Sequence, residues 1–220
     1  MGSGDQHFNQ KDGAGVIIYD LTAVIQKNRD YLSEVDGATG DGDHGVNMGK
    51  GFSRCRERLD GRQNSASLAE AMDELGDILL SEIGGSMGPL YGTFFMDMAE
   101  SISGKEQIGA AEFAAMLKAG LEGIRSLVDT KVGDKSLLDV LVPSIGALDG
   151  ALGEGKPFAE CLRVFRGEAE RAKESTKDMV AKVGRASRLG ERSRGFYDAG
   201  AVSCALILES IADSVAALIS

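Results

Sequence analysis

The chain has 220 residues, of which 43% are hydrophobic and 26% charged, with a net charge of −10 at neutral pH. That length suits one well-buried domain and is short for two, and the negative balance argues against nucleic acid or an anionic membrane surface as a partner. Cys55, Cys161 and Cys204 are scattered singly with no CxxC pair, so they read as buried free thiols rather than a disulfide framework or thiolate metal site. The opening Met1-Gly2-Ser3-Gly4 lacks a basic region followed by an apolar core and is not read as a secretory signal. Residues 1–15 are expected to be a flexible tail and residues 16–220 a single domain. No apolar run approaches a membrane span, and a cytoplasmic location is expected.

In chain order, Ile17, Leu21, Val24, Ile25, Asn28, Leu32 and Val35 form a helical stripe interrupted once, which delivers the chain into an acidic loop. Met48, Phe52, Cys55 and Leu59 mark a second helix ending at Asp60-Gly61. The next stripes are Leu68 to Ile83, stopped by Gly84-Gly85, then Leu90 to Ile102, and Phe113 to Val128. A sixth helix runs from about Lys135 through Leu148, where Pro143 predicts a kink or break. A seventh starts near Pro157, and an eighth spans about Ala201 to Leu218. No run alternates as a strand. The expectation is an all-α, antiparallel up-and-down bundle of eight helices, in which the loops after helices one, three, five and seven share one end. Those four loops carry glycine clusters, which points to one composite site there.

The first loop, Asp36 through Asn47, puts Asp36, Asp41 and Asp43 among four glycines. Crowded carboxylates repel unless a cation sits among them. Oxygen ligands without a nearby cysteine favour magnesium, manganese or calcium over zinc. An EF-hand does not fit, because the twelfth positions counted from Asp36 and Asp41 are Asn47 and Phe52 rather than glutamate. The amides of His44, Gly45 and Val46 open the next helix, where free N–H groups favour phosphate oxygens. Gly84 to Thr93 is a glycine-rich turn into a helix without the P-loop pattern. Gly133 to Asp139 reads as a helix start or simple cap. Gly184 to Gly195 holds Arg185, Arg188, Arg192 and Arg194 in an otherwise acidic chain, and arginine forks match phosphate oxygens. Asp198 then precedes the last helix as an N-cap or a ligand contact.

Taken together, GDGDHGVNM (Gly40 to Met48), GGSMGPLYGTFF (Gly84 to Phe95), GDKSLLDVLVP (Gly133 to Pro143), GRASRLGERSRG (Gly184 to Gly195) and DAGAVS (Asp198 to Ser203) resemble the DhaL, DAK2-type nucleotide-binding subunit of dihydroxyacetone kinases. The resemblance runs from about Asp20 onward. It implies an eight-helix barrel holding ADP or ATP at one end with two magnesium ions. By motif, Asp36, Asp41 and Asp43 correspond to metal ligands. His44, Gly45, Val46, Asn47, Ser86, Met87, Leu137, Arg185, Asp198, Ala199 and Gly200 correspond to nucleotide contacts, with Arg185 the phosphate stabiliser and no covalent catalytic residue. The resemblance also implies a DhaK-type partner that holds the sugar, and a DhaM-type phosphotransferase-system protein as a further partner.

Ser86-Met87 stands where the family commonly has Ala-Ser, Ala199 where it has proline, and Arg188 where an aromatic is frequent. These departures suggest a divergent branch acting on dihydroxyacetone or another small ketose such as erythrulose. A metal-dependent phosphatase using Asp41 or His44 to activate water, and a non-catalytic helical ligand-binding domain, are the rival readings of the same residues.

Overall fold

The computed structural model describes residues 6–62 and 64–219, so Met1 to Gly4 lie outside the described residues. The described chain is mostly helical, with nine α-helices: α1 Val16–Lys27, α2 Arg29–Gly37, α3 His44–Leu59, α4 Leu68–Glu82, α5 Met87–Ile102, α6 Ala110–Leu127, α7 Leu138–Gly153, α8 Phe158–Ser175 and α9 Ala199–Leu218. Two short strands, β1 His7–Asn9 and β2 Gln107–Gly109, pair antiparallel with Phe8 opposite Ile108. From α3 onward each helix packs on the next, and α9 returns against α1, which in turn packs on α3.

The expected first helix is two helices. The apolar stripe runs through Asn28 without a gap in period, but the backbone there leaves helical geometry (φ −99°, ψ 8°) and the Asn28 side chain donates to the Val24 carbonyl at 2.8 Å. Asparagine offers the backbone this local alternative to continuing the helix. α2 then packs through Leu32 and Val35 on Val202 of α9, apart from the main core. In α7 the expected break does not occur: the helix runs on through Pro143.

The main core is continuous from Phe8 to Val215. Aromatic side chains meet edge to face within it, Phe94 with Phe95 at 5.3 Å and Phe113 with Phe165 at 5.8 Å between ring centroids. Burial of each such side chain stabilises the fold by about 2 kcal/mol. α4 and α5 approach closely because Gly76 and Gly92 face each other. A Cβ on either would stand within 3.0 Å of the other's carbonyl oxygen.

The N-terminal segment is not a tail from residue 6 on. Phe8, Gln10 and Ala14 are buried. The Gln10 side chain donates to Lys105 O at 2.7 Å and accepts from Ala69 N–H at 3.3 Å, Gln10 O accepts from Leu68 N–H, and Gly15 N–H donates to Ala66 O. This segment closes the end of the bundle where α4, α6 and α8 begin. α9 is, by length and composition, apolar enough to cross a membrane, contrary to the sequence expectation. Its apolar side chains instead lie in the core, packed by α1, α7 and α8.

Candidate functional site

At the opposite end, α2 delivers the chain into the acidic loop. Gly40 N–H donates to Asp36 O at 2.6 Å and His44 N–H to Asp36 Oδ2 at 3.2 Å, so Asp36 ties the loop's exit to its entry. Asp36, Asp41 and Asp43 each bring a carboxylate oxygen to within 4.8 Å of the other two, with Asp36 partly buried and the others exposed. Across the cleft, Arg185 forms an ion pair with Asp41. An all-carboxylate set of this span fits a hard divalent cation and not a thiophilic one. α3 starts tightly against α2: a Cβ on Gly45 would collide with the Arg29 carbonyl oxygen and the Ser33 side chain. His44 is buried, its Nε2 has no hydrogen-bond partner among the described residues, and burial pushes its pKa down to about 4 against the opposing pull of Asp36. Buried polar atoms are rarely left unpaired without a role.

Three further segments complete a cleft of about 360 Å³, within the size range of small-molecule sites. Ser86 and Met87 open α5 from a turn at Gly85. Leu137 opens α7, and the turn before it is held from inside by buried Asp139, whose carboxylate accepts from Gly133 and Ser136 N–H groups. Asp198 caps α9 through Ala201 N–H at 2.7 Å. Its carboxyl is raised to about 6 by burial, with Asp139 and Asp36 adding to the rise and Ala201 N–H and Lys135 opposing it.

Of the residues expected from sequence, Asp36, Asp41, Asp43, His44, Asn47, Ser86, Met87, Leu137, Arg185, Asp198, Ala199 and Gly200 all line this cleft. Gly45 and Val46 do not: Gly45 is spent on packing and Val46 points out, 48% exposed. Arg188, Arg192 and Arg194 are exposed, and Arg194 pairs with Glu191 at 3.1 Å. Lys135 and Asp139 were missed. Lys135 also lines the cleft, and its signal was its place as the one cation of the GDKSLLD stretch, which read equally well as a plain helix cap.

Three of the four helix starts at this end share a property. The N-cap positions of α3, α5 and α7 make no side-chain cap hydrogen bond, and the positive ends of these helices border one cleft. Uncapped N–H groups and aligned dipoles favour an anion. Leu90, Ile124, Val128 and Leu138 add an apolar wall.

Fold and site together define a helical domain in which a candidate divalent-metal triad adjoins an anion-receptive floor of helix starts. Comparison with known proteins gives the family. The DAK2 domain matches residues 38–213. The chain is 34% identical over 202 residues, 91% of its own length and 93% of the other's, to the PEP-dependent dihydroxyacetone kinase 2, ADP-binding subunit DhaL of Listeria innocua. It is 34% identical over 189 residues, 86% and 90% of the two lengths, to the PEP-dependent dihydroxyacetone kinase, ADP-binding subunit DhaL of Escherichia coli. The dihydroxyacetone kinase of C. freundii, solved with AMP-PNP and Mg2+, shares the fold with a TM-score of 0.67 at 21% identity, across 91% of this chain and 33% of that one. The chain belongs to the DAK2 domain family, and with it to the phosphotransferases.

Proposed function

We propose that this protein is the ADP-binding subunit of a kinase for dihydroxyacetone or a related small ketose, passing a phosphoryl group from its bound nucleotide to sugar held on a DhaK-type partner. The observation that carries the reading is the gathering of Asp36, Asp41 and Asp43 within 4.8 Å beside uncapped helix starts and Arg185. Asp36, Asp41 and Asp43 would hold two magnesium ions, which neutralise charge on the phosphate oxygens during transfer. The α3 and α5 starts, with Asn47, Ser86 and Met87, receive the phosphates, and Arg185 exchanges Asp41 for a phosphate oxygen. The base lies against the apolar wall near Leu137, Ala199 and Gly200. His44, buried behind the triad, donates to or orients the phosphates and carries no phosphoryl group. The bundle is an eight-membered antiparallel barrel in which α1 and α2 together count as one stave.

Four exposed apolar side chains, Val46, Leu127, Val132 and Phe196, each stand within two residues of the cleft lining and suit the docking of a partner over it. The relatives named PEP-dependent support a nucleotide that stays bound and is recharged by a DhaM-type protein of the cytoplasm. The test is to denature the purified protein and identify released nucleotide by mass spectrometry, then to follow sugar phosphate formation with a DhaK-type partner. Co-purified ADP and partner-dependent transfer are expected. Release of orthophosphate from ATP without any partner would replace the reading with a phosphatase.

A further inference from the structure

Lys135 is the one non-glycine residue with positive φ among the described residues, at +67°. L-residues pay a steric cost in that region, which persists only where the surroundings over-determine it. The side chain is also unusual for a lysine in being 1% exposed. Its ammonium donates to Met179 O at 3.1 Å and to Ser193 O at 2.6 Å. Burial holds its pKa below the usual lysine range, opposed by Asp198.

Those two carbonyls are the two sides of a neck. Between them runs the segment that carries the 3-10 turn Arg185–Ser193. The same neck is closed by Ala181 N–H donating to Ser193 Oγ at 2.9 Å, Ser193 Oγ donating to Gly190 O at 2.7 Å, and Gly195 N–H donating to Lys177 O at 2.7 Å. The turn from which Lys135 projects is itself stiff. Asp139 holds Gly133 and Ser136, and Asp134 accepts from Lys182 N–H at 3.0 Å on the neighbouring strand of the neck. Within the segment, Arg185 opens the turn, and its guanidinium reaches Asp41. It borders the cleft at Val183, Gly184, Arg185 and Ala186 and is elsewhere half-buried or exposed, apart from buried Ala181 and Ser193.

We propose that Lys135 is a positioning residue that sets Arg185 over the acidic loop by pinning both sides of the 179–193 neck to the rigid turn before α7. It acts through the loop and not on the reacting atoms. An ammonium suits the task because it supplies several donors from one point to carbonyls that converge from different directions. The strained backbone is what aims it there. The proposal rests on the nucleotide reading above for its ligand, but the clamp itself does not.

The experiment has two arms. In the ligand-free protein, amide hydrogen exchange is followed at Ala181 and across residues 179–195 in wild type, Lys135→Met and Lys135→Gly; the glycine variant relieves the positive φ while removing the ammonium. Loss of protection confined to this segment, with the helical signal kept, is expected in both variants. In the second arm, Mg-ADP affinity is measured by calorimetry for Lys135→Met, Arg185→Ala and the double variant. Each single change is expected to weaken binding about tenfold, and the double variant to be within about twofold of either, since coupled residues depart from additivity. Two effects that multiply, or an Ala181 amide that stays protected in both variants, would overturn the proposal. Wild type that binds no Mg-ADP would refute the nucleotide reading alone, and the exchange arm would then decide the clamp.

Discussion

The two ends of the bundle are built from the same parts, helix ends and short connections, yet they treat their polar groups differently. At the closed end, α4 begins with Ser67 and Glu70 capping each other, α6 with Glu112 accepting from Gly109 N–H at 3.2 Å, and α8 with Gln6 Oε1 accepting from Ala159 N–H at 3.0 Å. The N-terminal segment adds Phe8 and Gln10 to that seal. At the cleft end, the N-cap residues of α3, α5 and α7 make no side-chain cap hydrogen bond, although Asp36 accepts from His44 N–H and Asp198 caps α9; three carboxylates crowd together, and His44 Nε2 has no partner among the described residues. The difference teaches that the closed end uses its polar groups for stability. The cleft end leaves more of them available to a ligand.

The comparison is broken most severely by changes that should affect one end alone. Phe8→Ala should lower unfolding free energy by about 3 kcal/mol through the cavity it leaves, while Mg-ADP affinity of the folded protein stays within error. Chemical denaturation with calorimetry on the same samples checks both. Alanine at Asp36, Asp41 or Asp43 should do the converse, weakening magnesium-dependent ADP binding on the order of a hundredfold, with the melting temperature kept for exposed Asp41 and Asp43 and lowered a little for Asp36, which also loses its bond from His44 N–H. If all three variants bind as wild type does, the metal assignment is lost. Arg185→Lys should cost roughly tenfold in ADP affinity, since a point charge replaces a planar fork, whereas Arg188→Ala should change it less than about twofold. Equal losses at the two positions would erase that ranking.

The smallest effect lies in the wall between the ends. Glu209 is raised to about 7 by burial, by a hydrogen bond with Glu170 and by that residue's charge, with Arg166 and Lys173 pulling the other way. Its unfolded value is near 4.5, so the folded state binds more protons between these limits and stability falls as pH rises from 4.5 to 7. Glu209→Gln should remove that fall, a gain of about 1 kcal/mol above pH 7 after screening by water. Melting curves across pH check it, and ligand affinity should not follow.

The helices were legible because each buries one stripe, and the stripes of α3 to α9 are regular. The parity of their connections placed four glycine-rich loops at one end, and the cleft is indeed lined from all four. What was hidden depends on contacts distant in sequence. Three residues, His7–Asn9, are too few to show alternation, and their pairing is decided by Gln107–Gly109. The division at Asn28 is carried by backbone dihedrals that a periodic stripe does not encode. Lys135 is the extreme case, since neither its positive φ nor its burial follows from residue type. Gly45 and Val46 belong to the motif by position, but the close approach of α3 to α2 makes one a packing residue and leaves the other exposed.

The division at Asn28 bears on time as well as on shape. α2 rests on a small apolar island of Leu32, Val35 and Val202, separate from the core that holds the other helices. Asp36 lies in its last turn, one residue after Val35. Elements with little buried apolar area open at lower free energy than the whole molecule unfolds, so α2, held otherwise by its close contact with α3, is expected to open with the acidic loop before the remaining helices do. On the nucleotide reading proposed above, a hinge one residue long then stands beside the phosphate loop. Enlarging the island, rather than adding contacts to the ligand, is the way to stiffen it.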